Sequence, residues 1–405
     1  MANHVISHTF RGILYIPIGV DITFSRSHSR AVVSLNRRTG RSQMPRFYCV
    51  VMEHYFKQSD SGCLAGLLLG PPTVESSYTT AQRLPYIDTA KAICIFLMVV
   101  GHSSINNILS DYIYSFHMPA FFIISGILYK PHSALKTIKA FSVPVFVFST
   151  INLFILFLIG EVHTTDISFS LLVREFLQYR HGMVLTLFKG VWFIWVLVAM
   201  RFLFCFLPIL RKERTYYICA SFFCVFYMTF VNYLIDIDTL FRGYYIGYMI
   251  PSLPFYCFGF FLKDNHWSPR DLSSKHIVML LATAIIMPLI NGHFDIYNNV
   301  WGYNYLLSAA IAIFSTIFLF WFSSKIPHSK FTESISKGTL VVLGTHWPIL
   351  CILARILPSS LEFVYPFIVI IVCYYIIIFC DKFCPILLGK EKSNHIYDIQ
   401  SIKDN

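Results

Sequence analysis

Beyond residue 83 the chain is a succession of apolar runs, and each is long enough to cross a lipid bilayer. A membrane-spanning helix needs about 20 predominantly apolar residues. Ten segments meet that requirement, at approximately 85–103, 112–129, 141–160, 191–209, 216–234, 245–262, 276–291, 304–322, 339–355 and 363–380. Inside hydrocarbon every backbone N–H and C=O must find its partner within the chain, so runs of this length are helices. The expected fold is an all-α integral membrane protein, a bundle of about ten transmembrane helices. Composition agrees, because only 13% of residues are charged, against about 25% in soluble domains. Aromatic residues make up 17%, which suits lipid-facing helices with interfacial belts.

The formal net charge of +11 invites a nucleic-acid reading, but the cations sit between the apolar runs and form no patch. Their placement is a topology signal. Lys130, Lys136 and Lys139, Arg211, Lys212 and Arg214, Lys263, Arg270 and Lys275, and Lys325, Lys330 and Lys337 fall in alternate connections. The C-terminal segment 391–405 and its approach add Lys382, Lys390, Lys392 and Lys403. The opposite connections hold Arg174, Arg180, Lys189, Arg242 and Arg355, so sixteen cations face five. Lys and Arg accumulate on the cytoplasmic side, and both termini are therefore expected there.

Residues 1–82 differ from the rest. They carry eight Lys/Arg, and their longest apolar stretch, Cys63 to Leu69, is too short to span. The basic residues do not adjoin an apolar core, so the order of a signal peptide is missing. The expectation is a disordered cytoplasmic tail, or a segment upstream of a true start at Met44 or Met52. Residues 83–390 form the membrane domain. Between the third and fourth segments, Phe169, Leu172, Val173, Phe176 and Leu177 alternate with Arg174, Glu175 and Gln178, the spacing of a short helix on the outer interface. The eleven cysteines are scattered without zinc-site spacing, so they are assigned to packing and no metal is expected.

Charged side chains within a bilayer are costly, about 2.5–3.5 kcal/mol each on insertion scales, and they mark function. The first segment carries Asp88, Lys91 and His102. Eleven residues are close to three turns at 3.6 residues per turn, so Lys91 and His102 share a face, about 16 Å apart along the axis. Asp88, one turn before Lys91, joins it. A cytoplasmic cation at the mouth of a groove, with an imidazole further in, suits a donor with anionic phosphates and a long thin arm. Histidine titrates near neutrality and suits general-base work. His117 in the second segment lies at a depth similar to His102. Arg201 in the fourth calls for a polar cavity, and His346 is a third intramembrane imidazole. The outer connection 291–301, with Asp295 and Trp301, mixes amides, a carboxylate and aromatics in the manner of polar-ligand sites.

The motifs Tyr86-Ile87-Asp88, Gly101-His102-Ser103, Phe116-His117-Met118-Pro119 and Ser125-Gly126 follow one another in order. Val191-Trp192-Phe193, Phe255 to Gly259, Asn291-Gly292 and Gly344-Thr345-His346-Trp347-Pro348 continue the series. Over about 83–390 this resembles the acyltransferase-3 family of membrane acyltransferases, most closely its fucose-4-O-acetylase-like and Nod-factor-acetylase-like members without an added esterase domain. The resemblance implies O-acetyl transfer from cytoplasmic acetyl-CoA, a co-substrate rather than a resident cofactor. The acceptor it implies is a hydroxyl of a cell-envelope sugar (O-antigen, capsule, exopolysaccharide or lipid-linked precursor) at the bacterial inner membrane. The family's basic residue, ten positions and then essential His match Lys91 and His102. Its Arg-x-x-Arg pair is met here by Lys136-Thr137-Ile138-Lys139, where a point charge replaces a planar fork. On this reading His102, Lys91 and Asp88 are catalytic, and Lys91, Lys136 and Lys139 hold the CoA phosphates. His117, Arg201, Asp295, Trp301 and His346 then line the acceptor site. The competing class is a transporter or flippase for a glycan, which also hides charges at mid-membrane, although the two halves show no repeat.

Overall fold

The computed structural model describes residues 13–16, 20–27, 30–37, 84–103, 106–131, 134–160, 191–236 and 244–390. The amphipathic segment 167–179, most of residues 1–82 and the segment 391–405 lie outside these. In the N-terminal unit, β1 (Ile13–Ile16), β2 (Val20–Ser27) and β3 (Arg30–Arg37) form an antiparallel sheet in sequence order.

The membrane unit is helical. Its elements are α1 (Pro85–Gly101), α2 (Asn107–Tyr114), α3 (His117–Ile127), α4 (Ala134–Leu158) and α5 (Val191–Phe206). They continue as α6 (Arg214–Phe226), α7 (Met249–Asp264) and α8 (Ser274–Asn291). A small hairpin of β4 (Phe294–Asp295) and β5 (Val300–Trp301) precedes α9 (Tyr305–Lys325), α10 (Lys330–Lys337), α11 (Thr339–Ile356) and α12 (Tyr365–Phe383). Seven helices among the described residues are long and apolar enough to cross a membrane, and Trp192–Phe206 is a shorter apolar helix. Phe146, Phe222, Phe230, Ile290 and Phe367 are exposed on their outer faces. A soluble monomer rarely shows so much apolar surface, whereas lipid covers it at no cost.

The second apolar run, expected as one span over 112–129, is two helices broken at Ser115–Phe116. Pro119 accounts for the break, since its ring lacks an N–H and clashes with the carbonyl four residues earlier, that of Ser115. The residue after the break is His117.

Two close crossings hold the bundle in register. A Cβ on Gly126 of α3 would lie 2.1 Å from the Tyr256 carbonyl oxygen of α7, and one on Gly259 would lie 2.2 Å from that of Ile123. Backbones this near are the usual route to tight helix association in lipid. On the other side, a Cβ on Gly344 of α11 would meet the Phe148 ring of α4 at 2.5 Å. Helix ends collect at two poles. Arg211 forks onto Asp264 at 2.7 and 3.0 Å, the Tyr217 hydroxyl donates to Asp264 at 3.0 Å, and Lys263 Nζ donates to the Tyr129 carbonyl at 2.6 Å. These define a basic pole. The far pole carries His102, His117 and the 292–304 connection, where Trp192 packs on Tyr248 and Tyr297.

Candidate functional site

Helix α1 is the axis of the site. Pro85 opens it at a position where a missing N–H costs nothing, and its apolar residues bury Ile87, Cys94, Ile95 and Val99. Asp88 and Lys91 both turn to one residue of α10: Ser336 Oγ donates to Asp88 Oδ1 at 2.7 Å, and Lys91 Nζ donates to the Ser336 carbonyl at 2.8 Å. Thr339 Oγ1 donates to that same carbonyl at 2.9 Å. Asp88 and Lys91 thus share a face, and Ser336 fastens it to the start of α11.

At the other end of α1, His102 follows the last helical turn, and its backbone N–H donates to the Met98 and Val99 carbonyls. Its ring stacks on that of His346, with centroids 5.2 Å apart and planes 28° from parallel. Two imidazoles from the first and eleventh helices therefore meet, at the end of α1 rather than within its length.

His346 is held by chemistry that its neighbours make possible. Its Nδ1 lies 2.8 Å from the Val342 carbonyl, and a carbonyl only accepts, so Nδ1 carries the proton. Pro348, two residues on, cannot donate to the Gly344 carbonyl. Asn152 Nδ2 of α4 donates to it instead, at 2.7 Å. The same local design recurs at His117-Met118-Pro119, where Nδ1 donates to the Ile113 carbonyl at 2.7 Å. His117 is buried against the edge of Tyr114, centroids 5.1 Å apart. The Tyr114 hydroxyl donates to the carbonyl of Gly101, the residue before His102, at 3.3 Å.

Lys136 and Lys139, one turn apart and exposed at the start of α4, share a face. Beyond them Phe141 lies under the Arg201 guanidinium, 5.5 Å from carbon to ring centre. Arg201 is half-buried, and its Nε has no hydrogen-bond partner among the described residues. Arg201 thus joins the lysines of α4 on one side of the basic pole.

Asp295 and Trp301 are engaged within their own loop. Asp295 Oδ1 accepts from the Tyr297 N–H at 2.8 Å and Oδ2 from Asn298 Nδ2 at 2.6 Å. Burial raises its pKa, and these bonds oppose that rise. Trp301 packs on Phe294 and Tyr305. Their geometry is that of hairpin-holding residues. Sequence reasoning missed Ser336, Tyr114 and Asn152, since a lone Ser, Tyr or Asn carries no signal until a distant element reaches it.

A helical membrane protein with paired imidazoles at one pole and a basic cluster at the other, linked by one helix, is the class that fold and site define. A family model described as an acyltransferase domain, Acyl_transf_3, matches residues 84–381, and the chain belongs to this acyltransferase-3 family. It is accordingly a membrane acyltransferase. No curated protein matches the chain, and no solved structure does.

Proposed function

We propose that this protein is an O-acetyltransferase of the bacterial cytoplasmic membrane. It moves acetyl from cytoplasmic acetyl-CoA to a hydroxyl of a cell-envelope sugar. The observation that carries the reading is α1, with Lys91 at the basic pole, His102 at the other and His346 stacked on it, in a chain of this family. The basic pole is the cytoplasmic one, by the distribution of Lys and Arg.

The chemistry balances without further reactants. His102 accepts the proton of the sugar hydroxyl as the oxygen attacks the thioester carbonyl. The C–S bond breaks, CoA leaves as thiolate, and the imidazolium returns the proton to it. The products are the acetyl ester and CoA thiol. Lys136, Lys139 and Arg201 supply positive charge for the phosphates. Lys91, tied to Ser336, sets the charge at the mouth, and Asp88 holds that tie. His346 fixes the plane of the His102 ring. His117, Asp295 and Trp301 shape the acceptor end.

Purified protein incubated with labelled acetyl-CoA and de-O-acetylated envelope polysaccharide tests this. Release of CoA thiol together with label in the polysaccharide is expected. Absence of both in folded protein refutes the reading.

A further inference from the structure

An imidazole–carboxylate pair lies on the far pole, outside the residues assigned above. His293 Nδ1 is 2.7 Å from Asp111 Oδ1, and the two side chains are 39% and 27% exposed. The pair is built from two distant stretches. Asp111 and Tyr114, one turn apart, share a face of α2. Tyr112 fastens α2 to α8 by donating to the Ile285 carbonyl at 2.6 Å. His293 follows Gly292, whose φ of +75° lets the chain leave α8 in a direction few other residues permit. The loop is secured behind it, where the Tyr303 N–H donates to the Asn291 carbonyl at 2.8 Å and Asn291 Nδ2 donates to Ser308 Oγ at 2.9 Å.

The carboxylate determines what His293 offers. A carboxylate accepts, so Nδ1 holds the proton and the neutral ring presents Nε2 as an acceptor. Orienting an imidazole through its far nitrogen is the arrangement that makes such a ring a dependable partner. Tyr114 lies 5.5 Å from His293 between ring centroids, and its hydroxyl reaches the carbonyl of Gly101, the residue before His102. One aromatic ring therefore contacts both His293 and the residue before His102. A sugar that stacks its C–H face on this tyrosine can direct one hydroxyl to His293 and another towards His102.

We propose that His293, oriented by Asp111, is an acceptor-positioning residue that accepts a hydrogen bond from a sugar hydroxyl other than the one acetylated. This rests on the acetyltransferase reading above. The Asp111 carboxylate acts through His293, and Tyr114 supplies the platform between the pair and His102.

The test uses purified protein, acetyl-CoA and de-O-acetylated envelope polysaccharide titrated by mass. Wild-type transfer is measured first, and if it is absent the underlying reading fails and this one with it. Given transfer, His293→Ala should raise the polysaccharide KM about three- to tenfold, the worth of one neutral hydrogen bond. The acetyl-CoA KM and the acceptor-independent release of CoA should not change. Asp111→Leu should match His293→Ala, the double variant should be no worse than either, and Asp111→Asn, whose amide oxygen still accepts from Nδ1, should restore the wild-type polysaccharide KM. An unchanged polysaccharide KM in His293→Ala overturns the proposal. So does an equal loss in the acetyl-CoA KM and CoA release, the mark of a structural role.

Discussion

The two ends of α1 are built differently, and the difference tells what each end can do. At the basic pole Asp88 and Lys91 are joined to Ser336 by two hydrogen bonds at 2.7 and 2.8 Å, so charge is tied down by a backbone carbonyl and a hydroxyl. At the far pole the His102 ring stacks on that of His346. Hydrogen bonds set charge and position, whereas an imidazole titrates near neutrality and can carry a proton. Binding energy is thus expected at one end and proton transfer at the other.

The largest effect should come from the far pole. General acid–base catalysis contributes typically 10²–10⁴-fold, so His102→Ala and His102→Gln should both lose that much kcat at an unchanged acetyl-CoA KM. The measurement is acetylation normalised to protein in the membrane. Near-normal activity in His102→Gln would end the catalytic assignment and with it the contrast between the two ends.

The next effect concerns the frame that holds the ends apart. Gly126→Ala sets a methyl 2.1 Å from the Tyr256 carbonyl oxygen. Overpacking costs about 1–3 kcal/mol and occasionally more, and a backbone atom yields little, so the upper end is expected. Less folded protein in the membrane, with specific activity preserved in what remains, is the outcome to look for. A full yield would show that α3 and α7 can separate.

At the basic pole the effects should be smaller and of another kind. Ser336→Ala removes the hydroxyl that donates to Asp88, and the loss of one such bond predicts about a three- to tenfold rise in acetyl-CoA KM at constant kcat. A fall in kcat instead would mean that the two ends are not separable.

Lys136→Gln with Lys139→Gln should raise the acetyl-CoA KM by a few-fold, about the 0.2–1 kcal/mol that exposed charges are worth. Unchanged kinetics would leave Arg201 as the principal phosphate ligand. Arg211 does not substitute, because its fork is already occupied by Asp264.

How much of this was legible beforehand varies by residue. The shared face of Asp88 and Lys91 follows from helical periodicity within one segment. Pairs such as Lys136 and Lys139 follow in the same way. The break before His117 was present in the sequence as Pro119, yet an uninterrupted apolar run concealed it. Asp295 carried the residue type of a ligand-binding carboxylate, but its oxygens turn inward to the Tyr297 N–H and the Asn298 amide. Those partners come from its neighbours in the folded loop, which residue type does not show.

By itself the sequence determined the helical membrane architecture, the alternation of basic connections and the family, since hydropathy, charge placement and motif order are local properties of the chain. Only the tertiary structure decided which helices meet. His102 and His346 are 5.2 Å apart across more than two hundred residues, as are Asp88 and Ser336 at 2.7 Å. The close crossings of α3 with α7 and of α4 with α11 are decided in the same way, at glycines 126, 259 and 344, where one missing Cβ lets two backbones or a ring close in. Packing geometry of that kind is a property of surfaces in contact, and a linear pattern of apolar residues carries no record of it.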